Sequence, residues 1–370
     1  MRPALLLAGH GTQDPEGVAG FLALAKRLTA RTETAGPGLP GVPQADGVPQ
    51  ADGAPAGQID VAGGFIELSA PPLRDAVSEL VDRGHRTLVA VPLMLSAAGH
   101  SKGDVPAALA RETARHPGLT MRYGRPLGPH PILLNLLAER ISAAVQTAGQ
   151  TAGQAAVEPY AVLAVGRGST DPDANADVCK DARLLWEGRA YAFTETAFVS
   201  LARPSVTEGL ERCRRLGARR IIVARYFLFP GVLPDRVAAQ AAAYAGAHPG
   251  LDIRCTDVLG DCDEIAGLVA ERYREAIEGD IRMNCDVCQY RTPLPGLAHR
   301  VGAPQQPHDH PHDHASHEHH RPAEPAEAIK PAEAIKPAEA IKPAEAIKPI
   351  GSANPIGSAE PAEAAPLDAS

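Results

Sequence analysis

The chain has 370 residues, a formal net charge of −8 and six cysteines. The charge is uneven: residues 302–370 carry a net −6, which leaves −2 for the first 301. A nearly neutral body without a basic stripe argues against nucleic acid as a partner. The cysteines do not form a secreted disulfide framework, no apolar run reaches membrane-spanning length, and no signal-peptide pattern follows Arg2. These features point to a cytoplasmic protein with no membrane partner.

Apolar, strand-like runs occur at 4–8, 60–66, 87–95 and 120–126, separated or followed by amphipathic stretches near 15–33, 71–84, 104–115 and 130–147. The order then recurs, with strands near 160–165, 189–199, 220–229 and 252–259 and helices near 172–187, 204–217, 233–247 and 261–279. Such alternation with short loops predicts an α/β fold of two tandem domains, each a parallel sheet flanked by helices. Asp14-Pro15 and Asp171-Pro172 place a capping residue before a proline at the first helical position. The domain bounds read as 1–146 and 155–300, joined by the linker TAGQTAGQ at 147–154. Residues 35–57, with GVPQAD twice, read as a disordered insertion. Residues 301–370 read as a disordered tail, His-rich and then carrying PAEAIK four times over 325–348.

The two halves come from an internal duplication. ALLLAGHGTQDP (4–15) and AVLAVGRGSTDP (161–172) match at a constant offset, with His10 in the first copy and Arg167 in the second. GFIELSAPPL (64–73) matches AFVSLARPSV (197–206), so Glu67 becomes Ser200. VAVPLMLSAAGH (89–100) matches VARYFLFPGVLP (223–234), and His100 is lost. All three candidate groups therefore sit at strand ends of the first copy only, where parallel sheets bind ligands. One working site is expected, made mainly by the first half. Two imidazoles and a carboxylate suit a divalent ion of borderline softness, Co, Ni, Fe or Zn, and can also accept protons near neutral pH. Phosphate-binding, dinucleotide and nucleophile-elbow motifs are absent.

AGHGTQDP, GGFIELSAP and PLMLSAAGHSKGDVP (92–106) resemble the first half of the sirohydrochlorin cobaltochelatase family in its long two-domain form. VGRGSTDPDANADVCKDARLLWEG (165–188), RYFLFPGVL (225–233) and MNCDVCQYR (283–291) resemble its second half. The resemblance covers about residues 1–300 apart from the insertion. It implies a class II chelatase fold and ATP-independent insertion of Co2+ into sirohydrochlorin, in cobalamin biosynthesis. By motif it makes His10 and His100 the metal-binding, proton-accepting histidines and Glu67 their carboxylate partner. Fe2+ or Ni2+ would fit the same ligands, so a sirohydrochlorin ferrochelatase stays open. So does a non-catalytic metal or tetrapyrrole carrier, although a carrier needs no proton acceptor aimed at a ring.

The substrate's carboxylates call for basic partners, and Lys102, Arg74, Arg167, Arg203 and Arg225 are the candidates. Cys285 and Cys288 form a Cys-x-x-Cys that supplies two of the four ligands a zinc or iron–sulfur centre needs. The others would be Cys255 and Cys262, or the same pair in a homodimer. The resemblance implies an iron–sulfur centre; a pair of free thiols or a redox dithiol is the alternative. Seven histidines in the tract 308–320 (His308, His310, His312, His314, His317, His319 and His320) read as a metal store.

Overall fold

The computed structural model describes residues 2–34, 59–146, 159–279 and 298–302. The insertion, the linker, Cys285, Cys288, the histidine tract and the PAEAIK repeats lie outside the described residues. Among those described, no helix is long and apolar enough to cross a membrane.

The first half contains β1 (Ala4–Gly9), α1 (Pro15–Thr34), β2 (Val61–Phe65), α2 (Leu73–Asp82), β3 (Thr87–Pro92), a π-helical turn (His100–Asp104), α3 (Val105–Arg115), β4 (Thr120–Tyr123) and α4 (Pro131–Gln146). The second contains β5 (Ala161–Gly166), α5 (Pro172–Trp186), β6 (Thr194–Phe198), α6 (Val206–Arg215), β7 (Arg220–Arg225), α7 (Val232–Ala247), β8 (Asp252–Cys255) and α8 (Asp263–Glu278). Each half forms a four-stranded parallel sheet, in the orders β2-β1-β3-β4 and β6-β5-β7-β8. Central strands of such sheets are covered on both faces, which is why β1 and β5 read as continuous apolar runs and are buried throughout.

The proline caps form as expected. Asp14 Oδ1 accepts from Glu16 N–H at 2.8 Å, and Asp171 Oδ1 accepts from Asp173 N–H at 3.2 Å. Several strands end earlier than their apolar runs. β3 stops at Pro92 and β7 at Arg225, although Leu93–Leu95 and Tyr226–Phe229 continue the pattern. Those residues line a cleft beyond the sheets and do not extend a ladder. At the other end, β6 begins only at Thr194, because Arg189 N–H turns back to Trp186 O.

The halves exchange their last helices. On the outer faces α2 and α3 cover the first sheet and α6 and α7 the second, each with its own apolar core. Between the sheets lies a shared core to which alternate residues of both contribute, such as Leu5, Leu7 and Val89 from one and Val162 and Ile222 from the other. Here α8 packs on β3 and β4 of the first half, and α4 packs on α5 and β7 of the second. Polar ties follow the exchange. Tyr273 of α8 donates to Pro3 O at 2.6 Å, and the fully buried Arg272 donates to Pro126 O and Leu127 O at 3.1 and 2.8 Å. Reciprocally, Arg140 of α4 donates to Leu259 O at 2.8 Å. Each sheet is therefore flanked partly by the other half's helix, and 1–316 is one unit.

Candidate active site

In each sheet the chain leaves the central pair of strands in opposite directions, β1 to β2 and β3 to β4, which opens a crevice at the carboxyl ends of β1 and β3. Register puts Gly9 opposite Phe65 and Ala8 opposite Pro92. The next residue of β1 is His10, two beyond Phe65 is Glu67, and the loop after β3 leads to His100. The equivalent crevice of the second half, with Arg167 and the loop 226–234, opens on the same space. Together they bound a cleft of 840 Å3.

The loop carrying His10 is pinned against the loop carrying Glu67. Glu67 N–H donates to His10 O at 3.1 Å, Thr12 N–H donates to Ser69 Oγ at 2.8 Å, and Ser69 Oγ–H returns a bond to Thr12 O at 2.5 Å. Gly11 has φ +108°, and a side chain there would strike Glu67 O at 1.8 Å. The second half repeats this approach: Gly168, at φ +85°, presses on Ser200 O just as closely. There the pin is different. Asn175 of α5 accepts from Ser169 N–H and donates to Ser169 O, both at 2.8 Å. Two chemistries thus hold the same loop.

This pinned geometry forces the following residue into a strained backbone. Leu68 (φ 63°) and Leu201 (φ 59°) are the two non-glycine residues at positive φ among those described. A left-handed backbone costs a leucine about 1–2 kcal/mol. Both side chains line the cleft.

His10 Nε2 lies 3.0 Å from His100 Nε2 and 3.0 Å from Glu67 Oε1. The other nitrogen of each ring is also held. His100 Nδ1–H donates to the buried Asp104 carboxylate at 2.6 Å, four residues along the π-helical turn, which leaves Nε2 as an acceptor. His10 Nδ1 lies 3.2 Å from Gly11 O. If it donates there, His10 Nε2 is an acceptor facing two others; if its proton sits on Nε2, that proton is shared with His100 or Glu67. Either way the point between the rings is a seat for a shared proton. Among the described residues no group of three or more His, Cys, Asp or Glu is placed so that it could hold a metal ion as it stands.

Burial lowers the pKa of both imidazoles. His10 is also lowered by His100 and Arg167, to about 4, against the opposing pull of Glu67. His100 is lowered by burial and Arg167, with Asp104 opposing. Both rings are thus neutral near pH 7, the form that binds metal or accepts a proton. The Arg167 guanidinium makes no hydrogen bond or ion pair to a described residue, and it lines the cleft.

The remaining basic candidates do not share this place. Lys102 Nζ is held by Asp171 and Asp173 at 2.7 and 3.0 Å, in a buried tie between the halves. Arg203 is 85% exposed and paired with Glu208, Arg225 bonds Thr256 and Asp257, and Arg74 pairs with Asp75. None of these four lines the cleft, whereas Arg300, on a single 3-10 turn (Ala298–Arg300), does. Sequence reasoning missed Arg300 and Asp104. The His100/Asp104 spacing of four, on one helical face, was the available signal for the latter. Cys255 and Cys262 are free thiols among the described residues, as are Cys179 and Cys213.

A sequence model of the CbiX family matches residues 48–144 and 161–276. A sirohydrochlorin cobaltochelatase of Priestia megaterium is 36% identical over 288 residues, 78% of this chain and 84% of the relative. A sirohydrochlorin ferrochelatase of the same organism is 30% identical over 50% of this chain and 72% of its own length. Among solved structures, the sirohydrochlorin chelatase SirB of Bacillus subtilis subspecies spizizenii in complex with cobalt superposes with a TM-score of 0.57 at 22% identity, over 76% of this chain and 99% of that one. A Bacillus subtilis SirB structure with Fe3+ gives 0.59 at 22% identity, over 77% of this chain and all of that one. These likenesses support the two-sheet chelatase fold.

Proposed function

The chain belongs to the CbiX family, and from that premise and the paired imidazoles we propose that it is a sirohydrochlorin cobaltochelatase, a lyase that inserts Co2+ into sirohydrochlorin without ATP in cobalamin biosynthesis. The observation that carries the proposal is the 3.0 Å approach of the His10 and His100 Nε2 atoms, with His100 anchored through Nδ1 by Asp104. Cobalt is favoured over iron because the cobaltochelatase relative matches more of the chain at higher identity than the ferrochelatase.

Metal insertion requires an ion stripped of water and the loss of two N–H protons from the macrocycle. His10, His100 and Glu67 receive the substrate ion at the seat between the rings. As the ion passes into the ring, the vacated imidazoles accept the displaced protons. Asp104 then stabilises the imidazolium of His100, and Glu67 that of His10. Arg167 faces the substrate's carboxylates from the second half, and Arg300 joins it. Lys102, Arg203 and Arg225 have weaker support as substrate ligands, because each is engaged elsewhere.

A cytoplasmic location accords with the four free thiols among the described residues. An iron–sulfur centre on Cys285 and Cys288, with or without a homodimer, is a separate proposal resting on their spacing. The described cysteines lie on four different segments and gather no such ligand set, and no catalytic step is assigned to a cluster. The test of function is a spectrophotometric insertion assay with purified protein, sirohydrochlorin and each metal in turn. Faster turnover with Fe2+ than with Co2+ would reassign the metal. Binding of sirohydrochlorin without insertion of any metal would leave a carrier.

A further inference from the structure

We infer that Leu68 and Leu201 are the apolar grips of the site, one from each half, which hold the body of the macrocycle beside His10 and Glu67. The inference rests on the proposed function for the identity of the ligand.

Each leucine is the centre of a three-residue turn. Ser69 N–H donates to Glu67 O and Ala202 N–H donates to Ser200 O, both at 2.7 Å. A turn of this kind with its central residue at positive φ is rare and strained, and glycine or asparagine is its natural tenant. Packing does not account for leucine, since the two side chains are 48% and 63% exposed. With Val232, which also lines the cleft, they make three of the seven large apolar residues left exposed among those described.

The duplication sharpens the point. The halves have diverged at His10/Arg167, Glu67/Ser200 and His100/Pro234, so the copies no longer share chemistry. Leucine stands at both strained positions nonetheless. The turn geometry demands positive φ; it does not demand a leucine. A ligand that covers both side chains supplies the missing reason. A tetrapyrrole fits that part: its carboxylates lie on the rim, within the reach of arginines, and its conjugated body is flat and apolar. The turn that aims Glu67 at His10 also sends the next residue into the cleft, so a ring held by Leu68 is held next to the metal seat.

The test uses the full chain and the variants Leu68→Gly, Leu201→Gly, Leu68→Met and Leu201→Met. Each is titrated with metal-free sirohydrochlorin, assayed for KM and kcat with Co2+, and melted. Both glycine variants should bind sirohydrochlorin about tenfold more weakly and raise KM to match, with kcat within about twofold. Their Tm should be unchanged or higher, because glycine suits positive φ. The methionine variants should stay near wild type. Wild-type affinity in both glycine variants would overturn the inference. So would a lowered Tm with lost kcat in both, which would make the leucines structural props; Leu201, in the half without imidazoles, decides if only the Glu67 turn is disturbed. Wild-type protein that does not bind sirohydrochlorin would sink the proposed function itself, before any variant is compared.

Discussion

The ammonium of Lys102 lies 2.7 Å from the carboxylate of Asp171, across the seam between the halves and two residues after His100. Asp171 caps α5, and Asp173 in its first turn is the lysine's second partner. Burial lowers the pKa of Lys102, but its bonds to the two aspartates outweigh that and hold it above the ordinary value. All three side chains are at most 8% exposed. Removing one partner of a buried pair leaves the other charge uncompensated, at about 3–5 kcal/mol. Lys102→Met should destabilise by about that much in chemical denaturation at neutral pH, and Lys102→Met with Asp173→Asn by less than the sum. A raised KM for sirohydrochlorin at unchanged stability would return Lys102 to the substrate-binding set.

His10→Ala should abolish insertion while the fold survives, since the ring is at a strand end and not in a core. Asp104→Asn is the subtler probe. It keeps the size of the side chain but weakens the hold on His100 Nδ1–H and on the imidazolium. Partners of this kind are typically worth 10–100-fold, so kcat should drop by about that factor with KM little changed. A kcat equal to wild type would mean that His100 does not need its tautomer fixed.

Arg167 stands where the second copy lost its histidine. Arg167→Ala should raise KM for sirohydrochlorin and leave much of kcat, because the three groups that hold metal and protons all belong to the first half. If Arg167→Ala were as inactive as His10→Ala at saturating sirohydrochlorin, the single-site reading would fail.

The succession of strands and helices along the chain and the ends of most helices were legible because each element obeys its own periodicity and carries local stop signals. The grouping of His10, Glu67 and His100 was legible because duplication supplied an internal control: all three are confined to one copy. The exchange of α4 and α8 was not legible. Amphipathicity says that a helix buries one face, and α4, with Leu133, Leu134, Leu136, Leu137 and Ile141 buried, announces that strongly. Nothing in the pattern says whose sheet receives it. The ion pairs of Lys102 were not legible for a similar reason, since a lysine beside a cleft and a lysine buried against two aspartates look alike until Asp171 and Asp173 are placed.

A stability prediction comes from α5. Burial raises the pKa of Asp181 to about 7, with Asp177 adding to the shift and the Tyr226 hydroxyl and Lys180 opposing it. Burial and Asp173 raise Asp177 to about 6. One oxygen of Asp181 accepts from Tyr226 Oη–H at 2.8 Å; the other is buried without a partner. A carboxyl with a raised native pKa keeps its proton longer folded than unfolded. Its contribution to stability is therefore full below the unfolded value, near 4, and is lost as pH rises to about 7. Asp181→Asn cannot ionise. Relative to wild type its Tm should improve steadily from about pH 4 to pH 7 and hold that difference above. Parallel Tm curves for the two proteins across this range would show that Asp181 is ionised throughout.

The tail should act as a metal store and not as part of the catalytic apparatus. Residues 303–370 contain no apolar periodicity with which to dock, so they lack the means to position a group to the accuracy that catalysis requires. Truncation after residue 302 should leave turnover at saturating Co2+ nearly unchanged. The seven histidines of 308–320 should still bind several divalent ions weakly in the full chain, with binding lost as imidazole protonates below pH ~6.5. Tethering keeps those ions near the cleft at a raised effective concentration. The truncated protein should therefore fall behind the full chain only when free Co2+ is scarce, and the gap should close as metal is added. A large fall in maximal rate with excess Co2+ would place the tail in the chemistry, and equal rates at every Co2+ concentration would deny it a role in supply.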